Sequence, residues 1–187
     1  DQNVIMPQIQ SVYKVSPDTS WYINIGKAFQ MPDVDDVLTY NKINASNLKP
    51  EEGWTYETGW KHTKGADSWK LALYHMDMSN KVGWAKDINN EYYPINTGDF
   101  RNTGVEAEYK KKFDAVWSVK IGAGISNPEI KNPSSTTAAW VQDAARVEGL
   151  IGVDYQKEKW AANMNLKYLG DREYYAASAS SGLAQDI

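Results

Sequence analysis

The dominant spacing of apolar residues along this chain is two, the period of a strand with one face toward an apolar medium, and not the 3.6 of a helix. "WYINIG" sets Trp21, Ile23 and Ile25 against Asn24 and Gly26, and "TYETGWKH" sets Tyr56, Thr58 and Trp60 against Glu57, Gly59 and Lys61. "VEAEYKKK" alternates Val105, Ala107 and Tyr109 with Glu106, Glu108 and Lys110. "AVWSVKIGAGI" places Trp117, Val119, Ile121, Ala123 and Ile125 on one side, with Ser118, Lys120, Gly122 and Gly124 opposite. Val147, Ile151, Val153 and Tyr155 face away from Arg146, Glu148, Asp154 and Gln156, with Leu150 out of pattern. Trp160, Ala162, Met164, Leu166 and Tyr168 alternate with Asn163, Asn165 and Lys167. Around Trp69, Leu71 and Leu73 the pattern is noisier, because Tyr74, Met76 and Met78 fall on the other face. These segments predict an all-β, antiparallel up-and-down meander of about eight strands of roughly ten residues, longer than ordinary sheet strands and long enough to cross a bilayer when tilted.

The connections sort by length. Short polar turns are expected at Ser16–Thr19, Thr63–Asp67, Lys112–Asp114 and Lys157–Lys159. Between them come the links Lys27–Glu52, a compact one near Asp87–Asn90, Asn127–Asp143, and the stretch after Glu173. Short turns at one end of a meander and longer loops at the other is the arrangement of an outer-membrane barrel. Trp21, Trp69, Trp117 and Trp160 each lie within three residues of a short turn, so they are expected at one height, as an interfacial girdle.

Composition sharpens this picture. The chain of 187 residues carries 8 Trp and 12 Tyr against 3 Phe, a bias toward aromatics with an apolar body and a polar tip. Its net charge of −4 is spread along the chain, and the one basic run, Lys110 to Lys112, follows two glutamates, which speaks against nucleic acid as a partner. With no cysteine, thiol catalysis, disulfides and Cys-based zinc sites are excluded. The longest uncharged stretches, Gln2–Tyr13 and Tyr174–Gln185, are 12 residues and polar, too short to span a bilayer as helices. Strands with one apolar face escape that test.

Candidate chemistry is sparse. No P-loop, dinucleotide fingerprint or HExxH motif is present. His62 and His75, at a strand end and mid-strand, read as solvated polar positions. Asp33, Asp35 and Asp36 cluster without the spacing of a calcium loop. Glu51 and Glu52 are adjacent, so on a strand they point to opposite faces and make a poor catalytic pair. "NAS" at Asn44 matches a glycosylation acceptor, a pattern short enough to arise by chance. The expectation is no catalytic residue, no metal and no cofactor.

Three boxes carry a resemblance. "KAFQMPDVDDVL" holds Ala28, Phe29, Pro32 and Leu38; "NLKPEEGWTYETGWK" holds Asn47, Leu48, Lys49, Pro50 and Glu51, then Tyr56, Glu57, Gly59 and Lys61. A third, "NTGDFRNTGVEAE", holds Asn96, Gly98, Arg101, Gly104, Val105, Glu106 and Glu108. In this order and spacing they resemble the C-terminal barrel half of TonB-dependent outer-membrane receptors. The resemblance implies a stretch of a 22-stranded transmembrane barrel, with residues 1–187 a partial barrel domain lacking the plug and the terminal strands. It further implies outer-membrane localisation in a Gram-negative type envelope, lipid around the barrel, and a TonB system acting through the plug. The cargo implied is a scarce large ligand, an iron-siderophore complex by default. Haem receptors of the family place a histidine between the first two boxes, and Phe29–Leu48 contains none. Loops 27–52 and 127–143 would face the ligand, with no individual contact residue assigned.

Two other readings stay open on the residues alone. One is a complete eight-stranded outer-membrane barrel serving as adhesin or anchor, since eight strands close a barrel filled by side chains. The other is a soluble β-sheet module that binds carbohydrate through exposed Trp and Tyr. The mean hydropathy of −0.61 makes solubility believable.

Overall fold

A computed structural model describes residues 4–33, 48–86, 88–131, 140–172, 174–175 and 183–184, and within these it holds strands and no helix. The main strands are β1 (Gln8–Lys14), β2 (Thr19–Gln30), β3 (Glu51–Lys64), β4 (Asp67–Lys86), β5 (Tyr92–Lys112) and β6 (Trp117–Lys131). A short β7 (Trp140–Gln142), then β8 (Val147–Lys157) and β9 (Trp160–Gly170) follow, with β10 (Tyr174–Tyr175) and β11 (Leu183–Ala184) as a separate pair. The sheet has nine strands in the order β1-β2-β3-β4-β5-β6-β8-β9, with β7 attached beside β6. Every neighbouring pair is antiparallel, so the expected meander is what the chain forms.

Register turns the alternation of single strands into two continuous faces. One row of cross-strand partners runs Ile23, Thr58, Leu73, Val105, Ile125, Val147. One residue along, the partners Asn24, Glu57, Tyr74, Gly104 and Ser126 lie on the opposite face. Among the described residues, nothing packs on the apolar face. Ile121, Ile125, Ile151, Met164 and Leu166 stand 47–68% exposed, while Tyr22, Ala72, Pro94 and Pro128 are buried. A water-soluble domain of this size would need a covered core, and an exposed apolar face this extensive requires a partner phase. The soluble carbohydrate-binding reading does not fit such a single layer.

β1 and β9 each pair on one side only within the described residues, which leaves two open edges. A closed eight-stranded barrel would pair them, so the small-barrel reading does not fit either. Open edges of this length are what further strands of a larger sheet would cover.

Two strands depart from the expected length. β4 has 20 residues and β5 has 21, about twice the ten anticipated. Their outer halves form a hairpin that runs more than ten residues past the apolar band, about 35 Å along the strand. The hairpin turns at Ile88–Asn90, close to the compact link expected there, with Asn90 at φ 67°. A bulge shifts the register between Met78 and Val82, where Asn80 takes φ 61°. The noise in the sequence around Met76 and Met78 is the approach to this bulge. The longer links also shrink: β2 extends to Gln30, β6 reaches Lys131, and β7 takes up part of the 127–143 stretch by pairing with β6.

The short turns are tight. Ala66 O accepts from Lys112 N at 2.9 Å, tying one turn to the next, and Val15 N donates to Thr19 O at 2.9 Å. At the β5–β6 turn the Asp114 carboxylate accepts from Val116 N at 2.7 Å and Trp117 N at 2.8 Å, closing the loop through its own backbone. The Trp117 and Val116 amides hold the Asp114 carboxyl below its ordinary pKa. A depressed folded-state pKa stabilises the fold above the unfolded value and loses that contribution as pH falls through the folded one. The turn is therefore expected at full strength at neutral pH and to weaken below about pH 4. Hydrogen exchange at Val116 and Trp117 between pH 6 and 3 checks this; in Asp114→Ala their protection should start low and show no acid step.

Candidate functional site

The apolar face ends in aromatics at the short-turn rim. Tyr13, Trp21 and Trp60 are direct cross-strand partners, as are Trp69 and Tyr109, and Trp117 and Tyr155, whose rings lie 4.8 Å apart. All point to the same side as the band. Their stagger measures the strand tilt. The row through Trp21 runs Trp60, Leu71, Ala107, Ala123, Gly149 and reaches Tyr168, while Trp160 lies eight residues back along β9. Eight residues are about 26 Å along the strand, and six inter-strand steps are about 29 Å across. If the two tryptophans sit at one height, the strands tilt by about 42°, inside the range of transmembrane barrels. A common height for the tryptophans is therefore compatible with this register and a barrel-like tilt. A second aromatic group, Trp54 stacked toward Tyr56 and Tyr56 toward His75, closes the band at the long-loop rim.

Between the girdles the band runs through five outward positions on β6, from Trp117 to Ile125. A shallow depression of about 1150 Å³ on this face is lined by Ile23, Leu73, Val105, Ala123 and Ile125. It is a saddle in an apolar surface, bordered by His75 and Thr103, whose side chains share a hydrogen bond of 2.7 Å. Most of the lining is apolar and suits lipid chains, with Arg146 and Asp171 at its edge.

The opposite face is wet and charged. Tyr22, 7% exposed, lies across β3, donates its hydroxyl to Glu57, and has the Lys61 ammonium 4.7 Å above its ring. Lys70 reaches Glu57 at 3.3 Å, Lys120 reaches Glu108 at 2.9 Å, and Lys167 reaches Glu148 at 3.1 Å. These pairs cross strands and stay partly solvated, so each contributes only about 0–1 kcal/mol. They organise the wall more than they stabilise it. Glu106 stands between them, with no ion pair among the described residues, over a floor of Ala72, Gly104, Gly122 and Gly124. A shallow hollow of about 280 Å³ opens there. Gly104 leaves the floor bare because Tyr74 lies across it: a Cβ would come within 2.5 Å of the Tyr74 hydroxyl.

The long-loop rim holds the polar residues that the boxes supplied. Arg101 donates to Glu129 at 2.7 Å, and its guanidinium lies 4.1 Å over the Trp140 ring. Lys131 faces Asp99 at 3.6 Å and Lys27 faces Glu52 at 2.7 Å. Glu51 turns the other way and accepts from Val82 N at 2.8 Å, so the adjacent glutamates diverge as expected. The histidines are engaged with threonines: His62 bonds Thr19 at 2.7 Å and stacks on Trp69, while His75 bonds Thr103. Among the described residues no group of three His, Cys, Asp or Glu side chains is gathered as a metal site would need. Asp35, Asp36, Leu38, Asn44 and Asn47 lie outside the described residues. Sequence reading missed the Tyr22 seat and the contacts at the β4 bulge; both join residues far apart in the chain and leave no local signal.

A single sheet with an apolar band, aromatic rims and a charged reverse face is a stretch of transmembrane β-barrel wall. Residues 1–185 match the family model described as TonB dependent receptor-like, beta-barrel, and the chain belongs to that family. Among solved structures it is similar to the ferric-catecholate import receptor Fiu from Escherichia coli K12, with TM-score 0.63 and 18% identity over 92% of this chain and 25% of that one. The FrpB iron transporter from Neisseria meningitidis superposes with TM-score 0.62 at 12% identity, over 90% of this chain and 27% of that one. The copper transporter OprC gives TM-score 0.62 at 17% identity, over 88% and 26%. The chain thus spans about a quarter of the length of each of these structures.

Proposed function

We propose that this chain is a segment of the barrel wall of an outer-membrane, TonB-dependent transporter, and that the whole receptor takes up a scarce large ligand, an iron-siderophore complex. The observation that carries the reading is the two-faced sheet of a family barrel: its band meets lipid, and its charged reverse face lines a wet lumen. The open edges at β1 and β9 support a larger closed barrel of the 22-stranded type around it. A plug domain filling that lumen would meet Tyr22, Lys120 and Glu106, and the TonB system would act on it. Iron and siderophores are favoured because several structurally similar proteins are described as iron or ferric-chelate importers. A role in passage rather than chemistry is favoured because the matching family is one of receptors and transporters.

The test is uptake of radiolabelled iron presented as catecholate, hydroxamate and citrate chelates by iron-starved cells expressing the intact receptor. One chelate class should be accumulated in a receptor-dependent manner, and inactivating TonB should abolish accumulation while leaving surface binding. Uptake of none of them above the receptor-deleted strain would overturn the iron assignment. Uptake that persists without TonB would overturn the coupling.

A further inference from the structure

We infer that Asn96 is a positioning residue that latches the stem of the loop joining β2 to β3 onto the β4–β5 hairpin, and so sets where that loop leaves the barrel wall. Its side-chain amide is a copy of a peptide group. Asn96 Oδ1 accepts from Lys49 N at 2.8 Å, while Nδ2 donates to Lys49 O at 2.9 Å and to Asn80 O at 2.7 Å. Both amide hydrogens and the oxygen are used, and the two bonds to Lys49 reproduce the exchange of a hydrogen-bonded pair in an antiparallel ladder.

Three features of the chain make this fit. Pro50 restricts Lys49 to extended backbone, where its N–H and C=O point to the same side. Asn80 sits in the β4 bulge at φ 61°, which turns its carbonyl toward Asn96. Glu51, next along, accepts from Val82 N at 2.8 Å and closes the other side of the same bulge. The register between β2 and β3 ends at Gln30 and Glu51, so without these contacts the loop would pivot at that last pair. With them its stem is carried past β4 to β5, an attachment spanning three strands and 47 residues of sequence.

A side chain with a single polar atom cannot make this exchange, and an aspartate would set a carboxylate against the Lys49 and Asn80 carbonyls. The proposal depends on where the loop is anchored and on no particular ligand, so its failure leaves the transport reading untouched. The experiment is trypsin digestion of the intact receptor in detergent, followed by mass spectrometry. Lys42 is the reporter inside the loop, and Lys86 at the hairpin tip is the control. Loss of the three bonds in Asn96→Ala is expected to speed cleavage after Lys42 about tenfold, because proteolysis tracks the open population. Asn96→Asp should match or exceed it, and Lys86 should be cut at the wild-type rate. Glu51→Ala, which loosens the stem from the other side, should give a smaller rise at Lys42 and serves if Asn96→Ala does not fold. An unchanged Lys42 rate in these variants would overturn the inference. So would an equal rise at Lys86, which would mean that Asn96 only holds the hairpin together.

Discussion

Ile121→Arg is expected to destabilise the folded barrel by about 2–4 kcal/mol, the cost of placing a guanidinium near the bilayer midplane. Ile121 occupies the middle of the outward run on β6, flanked by Tyr109 on β5 and Ile151 on β8. It is 47% exposed, with no protein layer over it among the described residues, so in the bilayer the new side chain finds room but no water. The neighbouring position supplies the control. Lys120 points to the other face and pairs with Glu108, a half-exposed contact. Lys120→Gln should therefore change stability by about 1 kcal/mol or less. Urea unfolding of the intact receptor in lipid vesicles compares the two. If Lys120→Gln proves the more damaging, the assignment of the faces is inverted and the proposed lumen is on the wrong side.

Gly59→Ala should cost about 1–3 kcal/mol, although it adds one methyl group to a wet face. A Cβ at Gly59 would lie 2.1 Å from Leu71 O and 2.9 Å from the Tyr22 hydroxyl. The first contact is with backbone and cannot swing away. The second displaces Tyr22 from Glu57 and from beneath Lys61. Gly122→Ala offers the contrast on the same face, since its Cβ would meet nothing nearer than Leu150 Cβ at 3.6 Å. That change should be neutral to within about 0.5 kcal/mol. Thermal unfolding of both variants in the same detergent decides the matter; equal effects would show that the Tyr22 seat is not tightly packed.

Much of this was legible in the residues, and the reason is local. Between the girdles, each strand meets lipid on one side and water on the other, so every second residue must be apolar and the faces can be read strand by strand. The turns were legible for a similar reason: SPDT and KFD sit where the chain reverses, and the Asp114 carboxylate closes its turn within three residues. Trp21, Trp69, Trp117 and Trp160 marked one rim because each lies next to such a turn.

Beyond the rim that logic ends. The outer halves of β4 and β5 run past the apolar band, where no bilayer imposes a period, so strands of 20 and 21 residues read as about ten. The bulge at Asn80 and the seat of Tyr22 depend on partners 16 and 35 residues away. The boxes were visible as patterns in the chain, yet what Asn96, Lys49 and Glu51 do for one another appears only once three strands stand side by side. The sequence alone determined the alternation, the turns and the side of the sheet that meets lipid, because the bilayer acts on each strand separately. The tertiary structure decided how far the hairpin extends, where the loop is anchored and which glycine must stay bare, because those depend on atoms brought together from distant strands.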